Sequence, residues 1–266
     1  MEFKNLLFFF LITLPVCILA RFLQLIYIED PTTGFFNIGY EFLGYFLIAL
    51  IIIACAVNVL LSFTAYKRPP RAPRMGIVTG ICSLALGVSI GFEILTETFT
   101  QSIRIWQIVT LDILGIFAAV FFLLYGLKMI INYPLPKIFF IVPALYWIMR
   151  LICIFTSISA ISLIVDNFIT LASHCLTLIF MANFAKLNND IDDNRLFRKL
   201  IATGFCSVIF CAVDALPRII FSLIGKESYI HSGVSFVPTV LLSGIFIISF
   251  FCSYFSKNNF KTKTSA

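Results

Sequence analysis

Long apolar runs separated by short polar breaks make up almost the whole chain. A helix that crosses a bilayer needs about 20 mostly apolar residues. Eight runs meet that length: Leu6–Ile28, Phe36–Phe63, Ile77–Glu97, Ile103–Leu127, Ile138–Ile158, Ser162–Phe184, Leu200–Ile224 and Val234–Phe255. Between the fifth and sixth the only breaks are Ser157, Ser159 and Ser162. An unbroken helix across both would far exceed the bilayer thickness, so the chain is expected to turn there. The first run continues to Ile28, and Ile18 and Ala20 make a poor cleavage pair, so it reads as a retained span rather than a leader. The pattern predicts an all-α fold: a polytopic integral membrane helix bundle with eight transmembrane helices, one domain over residues 1–266.

Composition narrows the class. Hydrophobic residues are 61% of the chain and charged residues 12%, against roughly 45–50% and 25% in soluble domains. Soluble and disordered classes are excluded. The eight cysteines all lie in apolar runs with no Cys-x-x-Cys, as expected of small buried hydrophobes rather than a disulfide framework or zinc site.

The formal charge of +6 matters through its placement. With the N-terminus inside, 14 of the 19 Lys and Arg fall in inner segments, and only Arg104 and Lys226 in outer ones. Arg21, Arg150 and Arg218 lie within spans. Positive loops stay cytoplasmic, so both termini are expected in the cytoplasm and the protein in the plasma membrane. The Thr64–Gly76 loop, TAYKRPPRAPRMG, is basic and proline-rich. It reads as a topology determinant, and could also meet anionic lipid or an SH3-like partner. No nucleic-acid partner is expected. Glu29–Phe35, EDPTTGF, reads as an outer turn.

The chain also resembles itself. Residues 77–83, IVTGICS, match 201–207, IATGFCS, and Gly115-Ile-Phe117 with Phe121-Phe122 matches Gly244-Ile-Phe246 with Phe250-Phe251. The offsets are nearly equal, which suggests two four-helix halves, 1–133 and 134–266, in parallel orientation. Gly76, Gly80, Gly87 and Gly91 form a small-residue stripe on the third span. That stripe predicts a central packing helix whose partner lies in the same chain.

The charges inside the spans are the candidate chemistry: Arg21, Glu41, Glu93, Asp112, Arg150, Asp166, Asp214 and Arg218. Each costs roughly 2.5–3.5 kcal/mol if left alone near the middle of a membrane helix. On the expected topology they all fall in the outer half of the bilayer, with Gln24, Tyr40, Gln107, Tyr146 and Asn167 at similar depth. Asp214 and Arg218 are one turn apart, acid first, the favourable order for a pair on one helix. A shared depth predicts one connected polar region, opening outward, that takes a small polar solute or a cation. A closed salt-bridge network that orders the bundle, or docks a partner helix in a non-transporting subunit or sensor, would need the same residues. A lipid-modifying enzyme would need Asp112 or Asp214 as a base.

Other chemistries have little to stand on. His174 and His231 lie at different depths, a poor arrangement for haem or zinc. His174 reads as a hydrogen-bonded core group. No lysine lies within a span, which excludes a retinal Schiff base. There is no His-Glu-x-x-His, Gly-x-Ser-Gly or phosphate loop. No cofactor and no metal is expected, and nothing marks the chain as an enzyme.

Overall fold

The computed structural model describes residues 3–30, 33–65, 76–100, 105–157, 165–189, 191, 195–225 and 237–261. Most of the basic 64–76 loop, the turn between the fifth and sixth spans, His231 and the last residues of the tail lie outside these ranges. Among the described residues eight α-helices run in chain order: α1 Phe3–Leu23, α2 Glu41–Ala65, α3 Ile77–Thr100, α4 Ile105–Ile131, α5 Val142–Ser157, α6 Val165–Asn188, α7 Leu196–Leu223 and α8 Val237–Lys261. Seven helical stretches among the described residues are long and apolar enough to cross a membrane, and α8 carries a shorter apolar stretch, Pro238–Tyr254. The protein is a multi-pass helical membrane bundle.

Three of the boundaries that differ from the apolar runs have a local reason. After Leu23 the first helix widens into a π turn, Gln24–Ile28, closed by the Glu29 amide donating to the Gln24 carbonyl at 2.9 Å. The chain then doubles back: Glu29 bridges Phe36, and the Asn37 amide donates to the Ile28 carbonyl at 2.8 Å. Gly34 and Gly39 supply the left-handed backbone this reversal needs, with φ of 72° and 92°. Phe36–Tyr40 are therefore turn, and α2 begins only at Glu41. The fifth span starts as a 3₁₀ turn, Lys137–Ile141. Pro143 follows at the second position of α5, where it has no amide to give and its ring would crowd the Phe139 carbonyl.

The centre of the bundle is α7, not α3. Nearly all of α7 is buried, whereas less than half of α3 is. α7 packs on α1, α2, α6 and α8, while α3 lies along α4 and α8. The expectation of an intrachain partner for the glycine stripe holds. A Cβ on Gly80 would fall 3.0 Å from the Gly126 carbonyl oxygen of α4, and one on Gly87 3.0 Å from that of Ala119. Length and burial outweigh glycine content in choosing the centre. α7 is the helix with small or apolar residues on every side, from Ala202 through Gly204 and Cys206 to Ala215.

Polar and aromatic residues divide the interior along α6. Toward its Asn188 end the core is aromatic: Tyr125, Phe184 and Phe246 have ring centroids 5.4–6.0 Å apart. Toward its Val165 end lie the buried charges.

Candidate functional site

One face of α6 is the spine of the site. Asp166, Thr170, Ser173, His174 and Thr177 recur at helical spacing and are all buried. Around that face the neighbouring helices bring three guanidinium groups, each held differently.

Arg21 leaves α1 just before the π turn. Its Nη1 donates to Gln24 Oε1 at 2.9 Å and to Glu29 Oε1 at 2.6 Å. Its Nη2 donates to Asp166 Oδ1 of α6. Arg21 is 1% exposed, so all of this takes place away from solvent. The π turn is what allows it. The wider turn and the reversal after it carry Glu29, eight residues on, back over the Arg21 guanidinium. Two buried atoms of this group have no hydrogen-bond partner among the described residues, Gln24 Nε2 and Glu29 Oε2.

Arg150 on α5 grips Glu93 of α3 with two nitrogens, Nη2 to Oε1 at 2.5 Å and Nη1 to Oε2 at 2.6 Å. A fork-to-carboxylate pair of this kind fixes both orientation and distance. The same Nη1 donates to Tyr146 Oη at 2.7 Å, and Nε donates to His174 Nε2 at 2.9 Å. His174 Nδ1 in turn meets the Thr170 carbonyl at 2.8 Å. The two bonds together assign the proton to Nδ1 and make Nε2 an acceptor. His174 is then a neutral, hydrogen-bonded core group. Trp147 flanks both, 5.4 Å from the Arg150 guanidinium carbon and 5.3 Å from the His174 ring.

Asp214 and Arg218 form the third group on α7, paired at 2.8 Å one turn apart. Thr170 sits between them, donating to Asp214 Oδ1 at 3.1 Å and accepting from Arg218 Nη2 at 2.8 Å. α7 continues as helix through Pro217. Hydroxyls extend the polar seam inward: Thr177 meets Ser207 at 2.7 Å, and Cys211 meets Ser243 of α8 at 3.6 Å.

Six of the eight charges singled out from sequence therefore meet along α6: Arg21, Glu93, Arg150, Asp166, Asp214 and Arg218. Two do not. Glu41 is exposed at the start of α2. Asp112 is only half-buried on α4, without a hydrogen-bond or ion-pair partner among the described residues. α4 packs mainly on α3 and α5 and meets α6 through Tyr125 and Phe184, at the aromatic end, which is why equal depth did not bring Asp112 in. Of the polar neighbours, Gln24 and Tyr146 belong to the network. Gln107 bonds Thr156 instead, and Tyr40 is 52% exposed. Glu29 is the residue the sequence did not reveal, because it stood beside Asp30 and Pro31 in a polar turn.

The network is closed in this conformation: its six spanning charges and Glu29 are all 1–5% exposed. A groove of about 450 Å³ between α5 and α6 is apolar and lies on the outer surface, lined among others by Leu151, Phe155, Phe168 and Cys175. Among the described residues, no group of three or more His, Cys, Asp or Glu is placed to hold a metal ion. Comparisons with protein-family models, with characterised proteins and with solved structures find no match.

Proposed function

We propose that the protein is a carrier that binds a small polar or charged solute at the α6 network, and that the three guanidinium groups and their carboxylates form its closed gate. The single observation that supports this reading is the concentration of seven charged side chains in one buried region of a membrane bundle. Charges in such a place are costly and mark pathways and binding sites far more often than surface charges do. The pairs join α1, α3, α5, α6 and α7, so breaking them would let helices separate around α6. The aromatic packing at the Asn188 end of α6 would then be the opposite barrier. The basic inner segments support a plasma-membrane protein with both termini cytoplasmic.

A second reading has its own support. Each guanidinium already has carboxylate or hydroxyl partners, so the network also serves as a fixed clamp in a non-transporting subunit or sensor. Asp214→Asn separates the two, because it keeps the shape and removes the charge. The measurement is thermal stabilisation of the purified protein by panels of anionic, cationic and zwitterionic solutes, followed by flux of any hit into proteoliposomes. A folded Asp214→Asn protein with altered solute response supports the carrier. Unchanged response to every solute in both proteins, with only a lower Tm in the variant, supports the clamp.

A further inference from the structure

Glu29 stands out within the network. It is 2% exposed, one of its oxygens accepts from Arg21 at 2.6 Å, and the other has no partner among the described residues. Among the described residues, Glu29 Oε2 is the one fully buried carboxylate oxygen of this region with no hydrogen-bond partner. We propose that Glu29 is a proton-binding site: Oε2 carries a proton in the closed network, and that proton neutralises the carboxylate in excess of the guanidinium groups.

Three observations lead there. The first is charge. Among the described residues the network buries four carboxylates, Glu29, Glu93, Asp166 and Asp214, against three guanidinium groups, Arg21, Arg150 and Arg218. Arg150 is taken up by Glu93 through both oxygens, and Arg218 by Asp214. Arg21 is left to serve both Glu29 and Asp166. One positive charge shared by two buried carboxylates leaves a negative charge in a low dielectric, where an uncompensated ion is far costlier than a neutral acid.

The second is geometry. A metal cation could also neutralise the surplus, but the Arg21 guanidinium already fills the space between the two carboxylates, and no metal-binding group is found among the described residues. A proton needs only the free oxygen. The groups facing Glu29 are Arg21 from α1 and Asp166 from α6, and Glu41 at the start of α2 points to the exposed surface. Burial pushes the Glu29 carboxyl above its ordinary range and Asp166 pushes the same way, against the opposing pull of Arg21.

The third is position. Glu29 lies just beyond the first span, in the turn that runs to exposed Thr33 and Asn37. A proton reaches it from water through a few residues of turn rather than through the bilayer. The site stands whether the network carries solute or clamps the bundle. In a carrier it supplies the coupling ion, and in a clamp it makes the clamp sensitive to pH.

The test uses the full-length protein in detergent or nanodiscs, with the proton itself as the probe. Infrared spectra recorded between about pH 4 and pH 8, a span bracketing an ordinary glutamate and a raised one, should contain a protonated-carboxyl C=O band. Carbon-13 labelling of glutamate alone should move that band, and Glu29→Gln should remove it. In Glu29→Asp the band should persist and stop responding to the glutamate label. This second variant keeps the test decisive should Glu29→Gln fail to fold. Tm gives a separate readout. A carboxyl with a raised folded-state pKa stabilises below its unfolded value, and that stability is lost as pH rises through the folded value. Wild-type Tm should therefore fall over this range, and Glu29→Gln should lose most of that slope. Absence of the band, a band unmoved by the glutamate label, or a band retained in Glu29→Gln would each overturn the proposal. None of these results depends on any solute being found.

Discussion

Replacing Asp214 by alanine removes the carboxylate that Arg218 meets at 2.8 Å, in a place where both residues are 4–5% exposed. A guanidinium stripped of its buried counter-ion should cost about 3–5 kcal/mol, seen as a large fall in Tm of the purified protein. Thr170 should feel the same change, since its hydroxyl bridges the pair. Arg150→Lys is a finer probe. A lysine keeps the charge but cannot span both oxygens of Glu93 while also reaching Tyr146 and His174. Losing one charge-assisted bond of that set should cost about 1.5–3 kcal/mol, measured by thermal unfolding beside a Glu93→Gln control. These residues were legible in the sequence because a charged side chain among apolar ones has few places to go. Glu29 was not. It is polar among polar neighbours, and only the π turn and the Glu29–Phe36 bridge put it on Arg21. Asp112 failed in the opposite sense: it has the depth of the others but sits on a helix that meets α6 at the aromatic end, through Tyr125 and Phe184.

Between elements, the most extensive contact among the described residues is that of α3 and α4. A Cβ on Gly126 would lie 2.7 Å from Leu84 Cγ and 2.9 Å from the Gly80 carbonyl oxygen. A backbone oxygen cannot rotate out of the way, so Gly126→Ala should force the helices apart and cost about 1–3 kcal/mol. Gly91 gives the contrast. Nothing lies within 4 Å of a Cβ there, and its backbone is helical. Gly91→Ala should be neutral or stabilise by up to about 1 kcal/mol through helix propensity, in the same Tm assay. Equal losses at both positions would show that the stripe is not read by contact. The small-residue spacing was visible in the sequence, and so was the presence of a partner helix in the same chain. Which helix it is depends on a hairpin connection that spacing does not encode. The late start of α2 and the 3₁₀ start of the fifth span follow from Gly34, Gly39 and Pro143. These are punctuation marks inside apolar runs, and a hydropathy window averages over them.

At the scale of the whole molecule, sidedness is the first thing to test. With both termini and the 64–76 loop inside, a cysteine placed at position 70 of a cysteine-free protein should resist impermeant reagent in intact cells and react after permeabilisation. Labelling from outside would overturn the orientation and with it the outward placement of the network. The proposed duplication has a mixed footing. α1 packs on α2 as α5 does on α6, and α3 on α4 as α7 does on α8. The long contact of α6 with α7 has no counterpart of similar extent between α2 and α3 among the described residues. A shared ancestry would therefore lie in the hairpins, with the halves docked differently. What the sequence by itself determined is the class: apolar runs of bilayer length can be satisfied only by helices that bond their own backbone. It also determined which charges would have to find partners, because hydrocarbon offers none. The tertiary structure alone decided who those partners are. It made α7 the centre, closed Arg150 onto Glu93 and His174, and left Glu29 and Asp166 to share Arg21. Pairing depends on which helix faces are neighbours. In a chain where nearly every face is apolar, periodicity carries almost no information about that choice.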